Sequence, residues 1–206
     1  MFLERELNES IARNPVAKSK KELRRALLET RLQAAREPLA NEALRQRVNE
    51  VLQRCTPRCV GFYWPLDGEF DARDALAAWL AEDTSRVACL PVITARGAPL
   101  EFHAWTPQMP MRVGEHRIQE PASGQIVMPD LVLVPCVGFD DQAYRLGYGG
   151  GYYDRTFAQW RAAGTALPHA IGIAYEACRL GELQREAHDI PLDAIITDAG
   201  SYPRGT

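Results

Sequence analysis

The sequence predicts an α/β fold of three layers, with a mostly parallel central sheet and helices on both faces. Short runs of apolar and β-branched residues alternate along the chain with longer segments of helical composition. The run LVLVPCV at 131–137 is apolar at every position, as is typical of a strand covered on both sides. The glycine-rich loop that follows it lies where open α/β sheets bind their ligands.

Two helices are predicted at the start of the folded part of the chain. The segment 18–36 has helical composition and apolar residues on one face, and 39–54 repeats that spacing. Residues 1–17 are predicted to form a flexible leader. The length of the chain then suggests a single domain over 18–206.

The remaining elements follow from changes in the hydrophobic period. CVGFYWP, an aromatic and β-branched run, predicts the first strand, and DARDALAAWLAED predicts a helix with Asp71 as its N-cap. Strands are predicted at 59–65, 86–93, 100–105, 131–137, 169–175 and 194–200. The two later helices are predicted at 71–83 and near 151–163, and a connection rich in Pro, Met and Gly occupies 106–124.

Composition excludes several classes of protein. The 206 residues carry a net charge of −3, which gives no general attraction to nucleic acid or anionic membranes. No signal peptide is visible, and the longest apolar run, 131–139, is far shorter than the roughly 20 residues of a membrane span. Five cysteines without a CxxC pair predict reduced, mostly buried thiols. We therefore expect a cytoplasmic protein that binds neither nucleic acid nor membrane.

The stretch RLGYGGGYYDRTF, 145–157, is the strongest candidate for a functional site. Its glycines allow successive N–H groups to turn toward one anion, and the following helix would add the positive end of its dipole. Arg145 would bind phosphate oxygens, and Asp154 would hold a Mg²⁺ ion that bridges phosphates. The spacing matches neither GxxxxGK[ST] nor GxGxxG. The alternative is a glycine-rich turn whose tyrosines serve packing.

A second candidate is the basic stretch between residues 18 and 36. Seven Lys and Arg accompany two Glu there, a local charge of 7 − 2 = +5 in a protein that is acidic overall. Lys20 and Arg24 are spaced i, i+4 and would lie on one helix face, where they would complete a triphosphate site. The alternative is an ordinary solvated helix face.

Two further clusters carry polar groups near predicted strands. WPLDGEFD places Trp64 near Glu69, and an aromatic ring with a carboxylate suits a planar heterocycle that carries N–H donors. The alternative is a core tryptophan and a surface glutamate. In AHDIPLDAIIT, His188, Asp189 and Asp193 fit a turn with a cap, and Asp189 becomes a site candidate only if a metal needs a second carboxylate.

Together these motifs resemble the 5-formyltetrahydrofolate cyclo-ligase family, also called 5,10-methenyltetrahydrofolate synthetases. The strongest match is DLVLVPCVGFDDQAYRLGYGGGYYDRTF, which is similar to the family's apolar strand, V-x-F-D and R-L-G-x-G-x-G-Y-Y-D. Weaker similarities follow in the family's order at KKELR, FYWPLDGEFD, CLPVI, LEFHAW, RIQEP and HDIPLDAIIT. Cys136 departs from the pattern, since a small residue, often glycine, is expected there.

The resemblance implies an enzyme that converts 5-formyltetrahydrofolate to 5,10-methenyltetrahydrofolate, with ATP as co-substrate and Mg²⁺ as cofactor. ADP and phosphate would be released after a phosphorylated formyl (iminium phosphate) intermediate. The implied fold is the three-layer domain shared with sugar-phosphate isomerases and CoA transferases. We expect a monomer, and the sequence leaves open whether the folate substrate carries a polyglutamate tail.

The resemblance also assigns roles to individual residues, with Lys20, Arg24 and Arg145 expected to stabilise charge on the transferred phosphoryl group. ATP binding is assigned to Lys20, Lys21, Glu22, Leu23, Arg24, Arg145, Leu146, Gly147, Tyr148, Gly149, Gly150, Gly151, Tyr152 and Tyr153. Folate binding is assigned to Trp64, Glu69, Tyr148, Gly149, Gly150, Gly151 and Tyr152. Magnesium binding is assigned to Asp154 and Asp189.

Three other functions stay open at this point. The basic helix and the loop tyrosines would suit a nucleotide- or RNA-binding module, although the net negative charge disfavours it. A protein that sequesters 5-formyltetrahydrofolate without turnover would keep the same residues. A sugar-phosphate isomerase of similar fold would need no ATP.

Overall fold

The computed structural model describes residues 19–205, so the predicted leader and Lys18 lie outside the described part. The helices are α1 (Lys20–Ala34), α2 (Pro38–Cys55), α3 (Arg73–Glu82) and α4 (Tyr152–Ala162). The strands of the main sheet are β1 (Cys59–Gly61), β2 (Val87–Val92), β3 (Glu101–Trp105), β6 (Leu131–Pro135), β9 (His169–Ile173), β10 (Ala194–Ile196) and β11 (Ser201–Pro203). Two small sheets pair β4 (Met111–Val113) with β5 (Gln119–Pro121), and β7 (Gly138–Phe139) with β8 (Arg145–Leu146).

The main sheet has the strand order β11-β10-β9-β6-β1-β2-β3. Its five inner strands run parallel, whereas β3 and β11 pair antiparallel at the two edges. The predicted α/β class with a mostly parallel sheet is therefore confirmed.

Alternate residues of the inner strands pack on opposite faces of the sheet. On one face, Leu131 and Leu133 of β6 belong to a core cluster that contains apolar side chains of α2 and α3. On the other face, Val132 and Val134 belong to a second cluster that contains Phe157 of α4. This alternation produces the three layers, because a strand covered by helices on both sides needs apolar residues at successive positions.

Several predicted boundaries are wrong. The first strand ends at Gly61 rather than at residue 65, and the last two predicted strands end at Ile173 and Ile196. At the end of β10, Thr197 N–H donates to Gly200 O at 2.9 Å, which turns the chain into β11. Polar groups that close such turns end a strand at an earlier residue than the length of its apolar run predicts.

Two local predictions also need correction. The connection 106–124 contains the β4–β5 pair, whose three-residue strands are too short to show a period. The N-cap of α3 is Ala72 rather than Asp71. Asp71 nevertheless accepts the Arg73 N–H at 3.0 Å, so its side chain satisfies one donor of the first turn.

Helix α1 lies beside the loop that follows β6. Ser19 and Glu22 form a capping box at its N-terminus, which fixes the start of the helix. Leu27 packs with Val137 and Leu146, and a Cβ on Gly138 would come within 2.6 Å of the Leu27 side chain. Glycine at 138 therefore permits the close approach that brings α1 to the carboxyl end of the sheet.

Helices long and apolar enough to cross a membrane are absent from residues 19–205.

Candidate active site

A cavity of about 510 Å³ lies at the carboxyl ends of β1 and β6. These strands are parallel neighbours, and the chain leaves them in opposite directions, from β1 to β2 and from β6 to β9. Such a reversal opens a crevice at the end of a parallel sheet. The loop 62–72 forms one wall of the cavity and the loop 136–151 forms another.

The glycine loop turns through two backbone conformations that side chains rarely adopt. Gly149 has φ +94° and Gly151, the N-cap residue of α4, has φ +64°. Arg24 donates from Nε to the Gly147 carbonyl at 2.7 Å, and a Cβ on Gly149 would come within 3.3 Å of its guanidinium. The loop thus leads into a helix N-terminus with a cation against it, an arrangement that favours an anion.

Arg145 and Asp154 are joined in an ion pair beside this loop. Arg145 Nη2 lies 2.8 Å from Asp154 Oδ2, and the Arg145 side chain is only 7% exposed. The two ends of the pair both reach Ile190, since Arg145 Nη1 donates to its carbonyl at 3.0 Å and Asp154 Oδ1 accepts its N–H at 3.2 Å. The predicted phosphate ligand therefore also fixes the predicted metal ligand.

Lys20 makes a second set of ion pairs at the cavity. Its Nζ lies 2.7 Å from Glu186 Oε1 and 3.1 Å from Asp189 Oδ2. Burial opposes ionisation of Asp189, but the Glu186 N–H and Lys20 together hold its pKa below the ordinary 3.8. The Lys20 contact also lowers the pKa of Glu186. The N-terminus of α1 is thereby fastened to the segment 186–189.

The loop after β1 is folded back on itself so that Glu69 lines the cavity. Tyr63 donates its hydroxyl to the Phe70 carbonyl at 3.0 Å, and the Leu66 N–H donates to Glu69 Oε2 at 2.8 Å. Trp64 lies at the rim, with the Arg73 guanidinium 4.4 Å from the centre of its ring. Glu69 is thus buried, in contrast to the surface glutamate of the alternative interpretation.

Glu69 is held by two partners from other elements. Arg31 Nη1 of α1 lies 3.2 Å from Glu69 Oε1, with side-chain exposures of 3% and 4%. The Tyr148 hydroxyl of the glycine loop donates to the same oxygen at 2.7 Å. Burial raises the pKa of Glu69 above the ordinary 4.5, against the lowering effect of these hydrogen bonds. One carboxylate therefore connects the loop after β1, the helix α1 and the glycine loop.

Two tyrosines at the start of α4 complete the inner wall. The Tyr153 hydroxyl is buried and has no hydrogen-bond partner within the described chain. The Tyr152 hydroxyl is hydrogen-bonded to His116 Nε2 at 3.1 Å, which ties the start of α4 to the segment before β5. An unpaired buried hydroxyl in a cavity is costly unless a ligand satisfies it.

The sequence profile of the 5-formyltetrahydrofolate cyclo-ligase family matches residues 16–198. The chain belongs to this family. The cyclo-ligase of Mycolicibacterium smegmatis is 34% identical over 192 residues, 87% of this chain and 94% of its own length. The Haemophilus influenzae enzyme is 28% identical over 171 residues, 80% of this chain and 89% of its own length. The predicted family resemblance is confirmed, and family membership identifies the chain as a cyclo-ligase enzyme.

Solved structures of the same family share the fold. The 5,10-methenyltetrahydrofolate synthetase of Aquifex aeolicus superposes with a TM-score of 0.71 at 28% identity, covering 89% of this chain and 92% of that one. The synthetase of Mycoplasma pneumoniae gives a TM-score of 0.68 at 25% identity, covering 88% of this chain and 99% of that one. The arrangement of the cyclo-ligase sheet and helices is therefore that of the family.

The cyclo-ligase cavity brings together most of the residues predicted from sequence. Those that line it are Lys20, Arg24, Trp64, Glu69, Arg145, Leu146, Gly147, Tyr148, Gly149, Gly150, Gly151, Tyr152, Tyr153, Asp154 and Asp189. Three predicted ATP ligands do not line it. Glu22 caps α1 and Leu23 packs against the small cluster around Leu146, while Lys21 lies on the exposed side of the helix.

Cys136, the departure from the family pattern, is buried at the end of β6. Its Sγ lies 3.0 Å from the place that a Cβ on Gly172 would occupy, and 3.5 Å from the Val134 carbonyl. Glycine on the neighbouring strand β9 provides the room for the thiol. The cavity is therefore not altered by this side chain directly, since Cys136 does not line it.

Several residues that the fold brings to the cyclo-ligase site were not predicted from sequence, among them Glu186, the partner of Lys20. In the sequence, Arg31 was counted only toward the charge of the basic stretch. It nevertheless follows Leu27 at i+4 and lies on the buried face of α1. An arginine at an apolar-face position is the signal that could have identified it. His116, which precedes β5, and Glu120, the middle residue of β5, also line the cavity. Glu120 lies within the RIQEP similarity, but no role was assigned to it from sequence.

Proposed function

We propose that this cyclo-ligase converts 5-formyltetrahydrofolate to 5,10-methenyltetrahydrofolate in an ATP- and Mg²⁺-dependent reaction that releases ADP and phosphate. The observation that carries the proposal is that one cavity is lined both by the glycine loop with its cations and by the Trp64–Glu69 wall. The first suits a triphosphate and the second suits a pterin. A formyl oxygen and a γ-phosphate can meet only where two such sites adjoin.

The chemistry begins with the formyl oxygen, because the formamide carbon is a poor electrophile and its oxygen a poor leaving group. The oxygen attacks the γ-phosphorus, the bond to ADP breaks, and N5 becomes part of an iminium phosphate. N10 then adds to the activated carbon and loses its proton, and phosphate departs with the C–O bonding electrons. The protein contributes positioning and stabilisation of charge, as in other phosphoryl transfers.

The phosphate groups would lie against the glycine loop and the start of α4. Arg24 already contacts the loop through the Gly147 carbonyl, and Arg145 is fixed beside it by Asp154. Lys20 would turn from Glu186 and Asp189 toward the triphosphate, since all three groups line the same cavity. These cations would stabilise the charge on the transferred phosphoryl group.

Asp154 and Asp189 fit the role of Mg²⁺ ligands. No cluster of three or more metal-binding side chains exists within residues 19–205, but Mg²⁺ is commonly held by one or two carboxylates with substrate phosphates. Asp189 Oδ2 accepts two hydrogen bonds, whereas its Oδ1 has only a distant contact of 3.9 Å to His188. The ion would neutralise phosphate charge.

Glu69 and Trp64 would bind and orient the pterin. The Glu69 carboxylate is positioned by Arg31 and by the Leu66 N–H, and the Tyr148 hydroxyl on Oε1 would give way to pterin N–H donors. Trp64 offers a ring at the rim for stacking. The unpaired Tyr153 hydroxyl would gain a partner when ligands fill the cavity.

The test is to mix the purified protein with 5-formyltetrahydrofolate and MgATP and to follow the ultraviolet absorption of the conjugated methenyl product. We expect the signal to grow only with ATP and to stop when a chelator removes magnesium. Binding of folate by calorimetry without any signal would contradict the proposal and favour sequestration. Turnover of a sugar phosphate without ATP would favour the isomerase.

A further inference from the structure

A second cavity of about 500 Å³ adjoins the active-site cavity. The two share a wall formed by Trp64, Leu66, His116, Ile118 and Tyr148. The proposed function, on which the assignment of this side cavity rests, gives it no occupant. Because the Trp64 ring lines both cavities, a ligand stacked on it can extend from one into the other.

The lining of the side cavity combines apolar surface with an available cation. Leu28 and Leu32 of α1 contribute the apolar part, and the Leu32 side chain is 40% exposed. Arg117 also lines the side cavity and is exposed, and its side chain makes no hydrogen bond, ion pair or ring contact with any residue between 19 and 205. Asp67 is the single carboxylate among the lining residues. Arg31, the other lining cation, is already neutralised by Glu69.

The backbone holds Arg117 in an unusual conformation. His116 and Arg117 have φ values of 55° and 60°, two consecutive left-handed residues of which neither is glycine. The His116 ring is hydrogen-bonded to the Tyr152 hydroxyl and packs edge-on against its ring, 5.9 Å between centroids. Contact with the first residue of α4 thus stabilises the strained segment that carries the Arg117 guanidinium.

The volumes of the two cavities indicate how much of the two substrates each cavity can hold. A cavity of about 510 Å³ is of the size that typically receives one small ligand, whereas the reaction needs ATP and a folate together. A folate continues from its pterin into a flat p-aminobenzoyl ring and ends in the carboxylates of glutamate. A pterin on Trp64 and Glu69 would direct that ring along the shared wall, and the side cavity offers both an apolar surface and a cation.

We propose that the side cavity binds the p-aminobenzoyl-glutamate portion of the folate substrate, with Arg117 pairing with a glutamate carboxylate. Arginine suits this role because its planar guanidinium can bind both oxygens of a carboxylate. The pair would be open to water, so Arg117 would set affinity for the tail and would leave the chemical step unchanged.

The experiment compares two substrates on three proteins. The substrates are 5-formyltetrahydrofolate and 5-formyltetrahydropteroate, which lacks the glutamate, and the proteins are wild type, Arg117→Gln and Arg161→Ala. Arg161 is an exposed arginine in the last turn of α4 that lines neither cavity. We expect Arg117→Gln to raise KM for the glutamate-bearing substrate about fivefold at unchanged kcat, and to leave KM for the pteroate unchanged. Arg117→Lys should recover part of the loss, and Arg161→Ala should match wild type.

Two results would overturn the proposal. Equal KM values of wild type for the two substrates would mean that the tail contributes nothing to binding. An equal rise in KM for both substrates in Arg117→Gln would mean that Arg117 does not bind the glutamate. If wild type turns over neither compound, the proposed reaction fails, independently of the tail site. Calorimetric titration of the same two compounds then tests the tail site. The proposal requires that only the glutamate-bearing compound loses affinity in Arg117→Gln.

Discussion

Arg145 is a deeply buried cation beside the glycine loop. It holds Asp154 through one nitrogen and the Ile190 carbonyl through another. We predict that Arg145→Ala lowers kcat at least about a hundredfold, because both a preorganised positive charge and the position of Asp154 are lost. Arg145→Lys should be only partly active, since one ammonium cannot reproduce the two-point contact of a guanidinium.

The control for Arg145→Ala is Arg179→Ala, which removes an arginine–aspartate pair with Asp141 outside the cavity. Its kcat should stay near that of wild type. Initial rates of methenyl formation, measured at saturating ATP and folate, compare the variants. Near-normal turnover of Arg145→Ala would contradict a role for Arg145 at the transferred phosphoryl group.

The buried Arg31–Glu69 pair is a second feature at the scale of single residues, and it bears on the stability of the fold. Both side chains are almost completely buried. We predict that Arg31→Met lowers the free energy of unfolding by about 3–5 kcal/mol, because it leaves the Glu69 carboxylate without its cation. The double variant Arg31→Met/Glu69→Gln should recover much of that loss, since no unpaired charge stays buried.

The exposed pair of Arg45 and Glu42 on α2 provides the comparison. Arg45→Met should change stability by no more than about 1 kcal/mol, because water and salt screen an exposed pair. Urea unfolding of the four proteins measures these differences. A loss in Arg31→Met as small as that in Arg45→Met would show that the buried pair does not hold the site together.

Individual residue roles are predictable where chemistry is local in sequence. Arg145 and the glycines lie within one short stretch, so their types and spacing already indicate a phosphate site. Arg31 was missed because its partner Glu69 is 38 positions away, and only the packing of α1 beside the loop after β1 brings the two together. Lys20 and Asp189, 169 positions apart, are a second example, since sequence identified both residues without their contact.

The glycine loop allows a matched test at the scale of one element. Gly149 has φ +94° and lies against Arg24, whereas Gly147 has an ordinary φ and a Cβ added to it would meet no atom within 4 Å. We predict that Gly149→Ala costs about 1–2 kcal/mol of stability through backbone strain. Gly147→Ala should leave stability within about 0.5 kcal/mol of wild type, because nothing in the described part of the chain opposes the added methyl group.

Activity measurements on the same variants then separate an effect on stability from an effect on ATP binding. If phosphates lie against the loop, Gly147→Ala should raise KM for ATP although the protein is as stable as wild type. Thermal unfolding and ATP titrations on the two variants give the comparison. An unchanged KM for ATP in Gly147→Ala would show that the triphosphate does not lie against residue 147.

The element scale also shows why boundaries are harder to predict than element types. The strands of the main sheet from β1 to β10 are predictable because their apolar runs are buried, yet β1 ends four residues early. After Gly61 the strand ends although Phe62 and Tyr63 stay buried, and the Tyr63 hydroxyl donates to the Phe70 carbonyl within the loop. The strands β4, β5, β7, β8 and β11 have two or three residues each, too few to show a period.

Across the whole molecule, α1 connects the amino-terminal part of the fold to the segment 186–189. The link depends on the charge of Asp189, whose pKa in the folded protein lies below its ordinary 3.8. A depressed carboxyl pKa contributes stability above the unfolded value and loses that contribution as the pH falls through the folded value. We predict that the stability advantage of wild type over Asp189→Asn is constant near neutral pH and shrinks below about pH 4.

Urea unfolding between about pH 3 and pH 7 measures this advantage across the range in which the carboxylate titrates. Lys20→Met, which removes the cation of the same link, should also lose its difference from wild type in acid. A difference between wild type and Asp189→Asn that stays constant across the whole range would show that the Lys20–Asp189 contact does not stabilise the fold.

The sequence by itself determined the class of fold, the family and the residue types of the phosphate loop. These depend on hydrophobic period and on motifs within a few tens of residues, and both are properties of the chain read in order. The tertiary structure alone decided that Arg31 and Tyr148 hold Glu69, that Arg145 is paired with Asp154, and that a side cavity lined in part by Arg117 adjoins the site. Those contacts join groups on different elements, and their distances follow from how the elements pack at the carboxyl end of the sheet.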